Sequence, residues 1–297
     1  MRCQTCGDAT SPEHNDCQRC NTPLGQPAVW PAVATYRVRG IGLAACIAVG
    51  VAVVLSLVTA LDPIVGLLMT RRAQNADDAD LLVDALSVQA LLSQPSVVVF
   101  PAAAVLVIVW MWRARKNIDA FPGALPTLGA GWAIAGWLIP FVNLVVPARV
   151  MASVARDSLW RRRTPATVFV WWITWLVFSI GEGVVSNQNA QAYIRLPQNP
   201  STDADYQAYI DHYGDSLLRN AVPAVACVVA GVTLILLIRR ISAAQEARIA
   251  SGSPAWPTAQ AWPAAPVPGG HPAAGATPSA SGSGGEEPAG PENQPRA

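Results

Sequence analysis

The sequence predicts an all-α integral membrane protein with about four transmembrane helices, a re-entrant broken helical segment, a small N-terminal zinc ribbon and a disordered C-terminal tail. Apolar residues make up 52% of the chain and charged residues only 13%, a balance far from that of soluble domains. Four apolar stretches approach the roughly 20 helical residues that cross a hydrocarbon core. The net charge of +1 hides a strong segregation of basic residues along the chain. Lipid therefore solvates much of this protein.

The first element is a zinc ribbon, predicted from two CxxC motifs: Cys3, Cys6, Cys17 and Cys20. Gly7 and Asn21 follow the two motifs and tolerate the tight turn that aims both thiolates at one ion. Four thiolates in tetrahedral geometry favour zinc, and such a closed site is structural because it has no open position for water. Two disulfides are the alternative, which a cytoplasmic location disfavours because thiols are kept reduced there.

Composition sets the remaining boundaries. We expect the ribbon in residues 1–25, a linker in 26–40, a membrane domain in 41–248 and a tail in 249–297. The tail is rich in Pro, Ala, Gly and Ser, and such a segment cannot bury enough apolar surface to offset the entropy lost on ordering. We therefore expect the tail to be disordered.

Four spans and two outer excursions make up the membrane domain. The predicted spans are residues 41–61, 96–112, 166–185 and 221–238. Between the first two, acidic side chains lie opposite an apolar row, which predicts an amphipathic helix lying on the outer surface or packing on the spans. Between the last two, Tyr206, Tyr209 and Tyr213 recur at helical spacing and indicate an aromatic anchor at the outer interface. A sugar- or peptide-binding patch that includes His212 is the alternative.

Residues 125–147 are apolar, but the charges on either side argue against a fifth span. Basic residues near span ends are held on the cytoplasmic side of a membrane. If residues 125–147 enter the membrane and turn back, sixteen of the twenty basic residues are cytoplasmic and four lie outside, whereas a full crossing gives nine and eleven. Pro140 also breaks the helix near the middle of the segment. We therefore expect a re-entrant segment and cytoplasmic N- and C-termini.

Two polar residues at membrane depth are candidate intramembrane sites. Asn143 follows the break at Pro140, where it can satisfy a freed backbone group or contact a ligand or ion. Glu182 is the one ionisable residue inside a predicted span, and such residues are functional candidates. Glu182 also lies within one turn of the predicted outer end of its span, where a carboxylate reaches water. A structural and a functional role stay open for both residues.

A pattern in the middle of the chain points to a known family. Its parts are WRARKN at residues 112–117, GWAIAGWLIP at 131–140, NLVVP at 143–147 and Arg156-Asp-Ser158. The pattern resembles the bacterial membrane proteins grouped as domain of unknown function 4328, which are common in actinobacteria, over residues 96–245. This resemblance implies a multi-pass membrane architecture, and it brings no catalytic residue with it.

The sequence contains no catalytic signature. It has no serine–histidine–acid set, phosphate loop or metalloprotease motif, and its three histidines lie in separate regions. We therefore expect a non-enzymatic protein of the bacterial cytoplasmic membrane. The leading hypothesis is an adaptor or regulatory protein whose ribbon and tail recruit cytoplasmic protein partners, while its arginine-rich face attracts anionic lipids. The acidic balance of the ribbon argues against nucleic acid. The alternative is a small transporter or channel component that uses the re-entrant segment.

Overall fold

A computed structural model describes residues 2–3, 7–11, 14–19, 24–76, 78, 80–161 and 163–252. These residues are helical or irregular and contain no β-strand beyond one isolated bridge between Arg2 and Ala9. Most of the predicted tail, residues 253–297, lies outside the described residues, as do two of the predicted zinc ligands, Cys6 and Cys20.

Seven α-helices and one 3-10 turn succeed one another in the described residues. They are α1 (Arg39–Ala60), α2 (Asp62–Ala76), α3 (Asp80–Ile118), α4 (Trp132–Leu138), the 3-10 turn (Val142–Leu144), α5 (Val146–Ser158), α6 (Ala166–Ile194) and α7 (Asp203–Gly252). Four helical stretches are long and apolar enough to cross a membrane: Arg39–Ala76, Asp80–Ile118, Ala166–Ile194 and Asp203–Gly252. Each contains one of the predicted spans, so the prediction of an all-α, multi-pass membrane protein is confirmed.

The helices are longer than the spans predicted from hydropathy. α3 has 39 residues and α7 has 50, so at 1.5 Å per residue they measure about 58 Å and 75 Å, against about 30 Å for a hydrocarbon core. α7 continues to Gly252, four residues past residue 248, the predicted end of the membrane domain. The helices therefore extend beyond the predicted spans at both ends of the bundle, and we name each end by its residues. The tyrosine end holds α2, the starts of α3 and α7 and the end of α6, and the arginine-rich end holds the opposite termini with α4 and α5.

Three tyrosines of α7 form a small core at the tyrosine end. Tyr206, Tyr209 and Tyr213 are buried against Ala73 of α2 and Leu82 of α3. The Tyr209 hydroxyl donates a hydrogen bond of 2.8 Å to the carbonyl of Pro197. The prediction of an interfacial aromatic anchor is therefore wrong, because these rings pack on protein. The stretch predicted as one amphipathic helix is α2 together with the first turns of α3, both packed in this bundle.

The closest approach of α2 to α7 depends on Gly66. A methyl group at this position would overlap the buried Tyr213 ring. We expect Gly66→Ala to lower the free energy of unfolding by about 1–3 kcal/mol, the usual cost of overpacking. Unfolding of the detergent-solubilised protein by dodecyl sulfate, followed by tryptophan fluorescence, measures this change. Gly214→Ala on α7 is the matched control, because its added methyl group meets open space. Equal losses in both variants would contradict the packing described here.

The four long helices do not pack symmetrically. α1 lies along both α3 and α7, and α6 lies along α7, whereas α3 and α6 have little direct contact. At the arginine-rich end, α4 packs against α3 and α5 packs against α6, so the segment between α3 and α6 occupies that end of the gap. The main hydrophobic core, which includes Trp110, Met151, Trp171 and Ile238, runs through this same end.

Candidate functional site

The described cysteines of the two N-terminal motifs lie against the arginine-rich end. Cys3 and Cys17, one from each motif, are buried in one cluster with Leu24 and Trp160. The Cys3 N–H donates to the Asp8 carbonyl and the Gly7 N–H donates to the Cys3 carbonyl, each at 2.9 Å. Gly7 has φ 72°, the left-handed turn that its position after the first motif predicts. The backbone at Cys3 therefore forms a tight turn.

The structure brings together half of the predicted zinc ligands. Cys3 and Cys17 meet, while Cys6 and Cys20 lie outside the described residues. Across the part of the chain that is described, no group of three or more His, Cys, Asp or Glu side chains is placed to hold a metal. A cluster with one cysteine from each motif fits a site that draws two thiolates from each. The zinc ribbon stays a prediction.

A buried polar network joins four segments of the chain next to the cysteine cluster. Its central residue, Gln245 of α7, accepts a hydrogen bond from the Asn117 amide and donates to the Ser158 hydroxyl and the Ala114 carbonyl, each at 2.9 Å. Asn117 also exchanges two hydrogen bonds with the backbone of Tyr36. Gln245, Asn117 and Ser158 are all buried. The network therefore joins the linker before α1 to the ends of α3, α5 and α7.

Arg248, one turn further along α7, is buried beside the network, with only 3% of its surface exposed. Its guanidinium donates to the Ala28 carbonyl at 2.9 Å and to the Pro122 carbonyl at 3.2 Å. The same group lies 4.1 Å from the Phe121 ring centre and 3.8 Å from that of Trp160. Both aromatic faces attract the cation, and more strongly when it is removed from water. Arg248 thus fixes the ring on which the cysteine cluster packs.

Trp160 has an uncommon backbone conformation. Its φ of 56° lies in the left-handed region, which costs a non-glycine residue about 1–2 kcal/mol. The ring contacts on either side, from Arg248 and from the Cys3–Cys17 cluster, offset this cost. Backbone strain of this kind persists only where several surrounding contacts hold the residue in place.

Residues 125–147 form a broken hairpin that begins and ends at the arginine-rich end. Asn117 precedes it and Ser158 follows it, yet both side chains bond to Gln245. The single helix inside it, α4, has seven residues, about 10 Å, and is too short to cross a membrane. The chain turns at Phe141, which has φ 64° and is 84% exposed. The Arg115 guanidinium holds the Leu128 carbonyl at 2.7 Å.

The two candidate intramembrane residues are not brought together. The N–H of Asn143 donates to the Ile139 carbonyl inside the broken hairpin, and the carbonyl of the next residue, Leu144, accepts from the Trp172 indole at 3.1 Å. Glu182 follows Trp172 by ten residues on the same helix, about 15 Å nearer the tyrosine end. Its side chain is exposed on α6. No shared site of Asn143 and Glu182 exists at that separation.

Comparison with known proteins places the middle of the chain in one family. A family model described as domain of unknown function (DUF4328) matches residues 71–243, more than half of the 297 residues. No curated protein and no solved structure matches the chain. The matched region runs from α2 into α7 and contains the broken hairpin, whereas the cysteine motifs, Gln245 and Arg248 lie outside it. The chain belongs to the DUF4328 family.

Proposed function

We propose that this protein is a non-enzymatic adaptor or regulatory protein of the bacterial cytoplasmic membrane. In this proposal the N-terminal module, the predicted ribbon of residues 1–25, recruits cytoplasmic protein partners. The observation that carries the proposal is the packing of Cys3 and Cys17 on Trp160, which Arg248 fixes in turn. A small module seated on a buried part of the membrane domain presents its outer surface at a constant position. It also lets the membrane domain sense whether a partner is bound.

The charges at the arginine-rich end support a cytoplasmic orientation for it. The described arginines exposed there include Arg37, Arg39, Arg149, Arg161, Arg163, Arg239 and Arg240. Basic residues near span ends stay on the cytoplasmic side, and the same charges attract anionic lipid head groups. In this orientation the exposed Phe141 at the turn of the broken hairpin points toward lipid, which favours a re-entrant segment.

The orientation makes a direct prediction about labelling in intact cells. We expect an impermeant thiol reagent to label a cysteine placed at Ala204, at the tyrosine end, and to leave one at Arg163 unlabelled until the cells are opened. Both positions are exposed, so accessibility within the protein does not limit either reaction. Labelling at position 163 from outside would show that the protein has the opposite orientation or that residues 125–147 cross the membrane fully.

Zinc binding makes a second prediction. We expect the purified full-length protein to carry about one zinc ion per chain, held by Cys3, Cys6, Cys17 and Cys20. Cys17→Ser is expected to lose the metal, because a ribbon of this size has little apolar core and depends on zinc for its folding energy. Elemental analysis by mass spectrometry measures the ratio. Cys46→Ala, which removes a thiol buried in α1, is the matched control and is expected to keep the zinc. Equal zinc in both variants would rule out this ligand set.

The adaptor role is tested by affinity capture from native membranes. Proteins recovered with the intact chain are expected to be lost with the Cys3→Ser/Cys6→Ser variant or with a chain that lacks residues 253–297. Cys46→Ser and Asn143→Ala are expected to recover the same proteins as the intact chain. If the cysteine variant and the shortened chain both recover the full set, the adaptor proposal fails.

The alternative, a transporter or channel component, is less well supported. Trp172 bonds to Leu144, the residue after Asn143, and Glu182 lies about 15 Å further along α6, so Asn143 and Glu182 do not form one polar path. A transport role predicts that Asn143→Ala abolishes function while Cys6→Ser preserves it, the reverse of the adaptor prediction.

A further inference from the structure

An apolar cavity of about 240 Å³ lies inside the bundle, between α1, α3, α6 and α7. Aliphatic, aromatic and small side chains line it, and the lining includes Trp137, Trp171 and Trp175 together with Phe100 and Phe178. A dry engineered cavity of about 150 Å³ already binds benzene, so this volume accommodates a longer aliphatic group. An apolar cavity at membrane depth that opens toward lipid fills with lipid.

The position of the cavity follows from the gap between α3 and α6. Those two helices have little direct contact, and the stacked rings of Phe100 and Phe178, 6.2 Å apart, bridge them on the side toward the tyrosine end. On the other side, Trp137 of the broken hairpin contacts Trp175 and Trp172 edge-on. The broken hairpin thus closes the end of the cavity that faces the arginine-rich end. The cavity is partly open, and we take the gap between the two helices as the place where lipid enters.

Two indole N–H groups at the cavity have no hydrogen-bond acceptor in the part of the chain that the structure describes. Trp171 is 1% exposed, and the indole nitrogens of Trp171 and Trp137 are both buried without a partner among the described residues. Both tryptophans line the cavity. By contrast, Trp110 and Trp172 do not line it, and their N–H groups donate to Ser242 and Leu144. A buried donor without an acceptor is costly, and more so where no water can reach it.

These features together define a ligand with an aliphatic chain and an uncharged acceptor oxygen near one end. The donors and the chain-lining residues occupy different depths. Trp171 follows the start of α6 by five residues and Phe178 by twelve, so the donor end lies about 10 Å nearer the arginine-rich end. In a phospholipid, the ester carbonyl lies at the membrane surface and the acyl chain runs inward from it, which is the same order.

We propose that the cavity is a binding site for one acyl chain of a membrane phospholipid, with its ester carbonyl accepting hydrogen bonds from Trp137 and Trp171. The site is independent of the adaptor function. It gives the broken hairpin a role, because the hairpin supplies one of the two donors and the floor of the site.

Native mass spectrometry of the full-length protein tests the site, with dioleoylphosphatidylglycerol titrated into detergent. We expect one lipid to bind saturably to the intact protein. Ala104→Phe places a ring at the exposed edge of the cavity and is expected to weaken that binding at least tenfold. Ala102→Phe, exposed on the same helix and outside the lining, is the matched control and is expected to bind as the intact protein does. Saturable binding that is equal in all three proteins would overturn the site, as would no saturable binding.

The donors are tested by removing one of them. Trp171→Phe removes the N–H and retains an aromatic ring. The intact protein is expected to bind the ester lipid about tenfold more tightly than its diether analogue, a difference of about 1.4 kcal/mol that the two indole donors share. Trp171→Phe is expected to reduce that preference to about threefold or less. If the intact protein binds both lipids equally, or the variant keeps the full preference, the carbonyl does not meet the indole donors.

Discussion

Arg248→Met is expected to lower the free energy of unfolding by about 3–5 kcal/mol. The substitution removes two charge-assisted hydrogen bonds, to Ala28 and Pro122, and leaves both carbonyls without that donor. It also removes a cation from between the rings of Phe121 and Trp160, where a desolvated contact contributes about 2 kcal/mol. Methionine keeps an unbranched apolar stem but lacks the guanidinium end, so part of the loss comes from the space that this group leaves. Dodecyl sulfate unfolding of the solubilised protein measures the change.

The effect of Arg248→Met should be local as well as large. We expect the variant to release the N-terminal module first, because Trp160 loses the contact that holds it against the cysteine cluster. Limited proteolysis within residues 24–38 is then expected to be faster than in the intact protein. Arg240→Met is the matched control, since Arg240 is exposed on the same helix and such changes usually stay within about 0.5 kcal/mol. A loss of stability no greater than that of the control would mean that Arg248 does not join these segments.

Gln245→Leu is expected to cost about 3–4 kcal/mol. Leucine has a similar size but removes the hydrogen bonds that three buried groups make with Gln245: the Asn117 amide, the Ser158 hydroxyl and the Ala114 carbonyl. Each unsatisfied buried group costs about 1–3 kcal/mol, and part of that cost is recovered by relaxation of the structure. The same unfolding assay applies. Gln207→Leu, at an exposed position on α7, is the control and is expected to change stability little.

A double-mutant cycle tests whether Gln245 and Asn117 act as one unit. The variant Asn117→Leu/Gln245→Leu is expected to lose less stability than the sum of the single changes, by about 1–3 kcal/mol, because removing both partners leaves fewer groups unpaired. Additive losses would show that the two side chains contribute separately. Neither residue is at the surface, so solvent does not replace the lost bonds.

Hydropathy was sufficient to predict the four membrane helices, because an apolar run of about 20 residues is rare outside a membrane span. It was not sufficient to find their ends. Residues 203–220 are polar and amphipathic, and their helix is continuous with the last span because Tyr206, Tyr209 and Tyr213 pack on α2 and α3. Spacing alone does not separate a tyrosine that faces an interface from one that faces another helix. The break after α4 was predictable because Pro140 cannot continue a helix.

The buried network was not predictable in the same way. Asn117, Ser158 and Gln245 are far apart in the sequence, and each is an ordinary residue for the end of a helix. Arg248 belongs to a set of arginines that hydropathy assigns to the membrane surface, and nothing local distinguishes it from the exposed Arg240. Its role becomes visible only when the linker, the loop after α3 and the Trp160 ring meet around it. Long-range contacts of this kind leave no periodic signal.

The continuity of α7 has a mechanical consequence. It is one rod of about 75 Å, with the tyrosines in its first turns and Arg248 in its last. A tilt of about 5° over that length displaces one tip by some 6 Å relative to the other, which is about one helical turn. Pro223, twenty residues from the start, leaves a gap in the backbone ladder where such a rod bends most easily. A tilt of α7 about its membrane-embedded middle therefore moves the cysteine cluster at one end when the tyrosine core moves at the other.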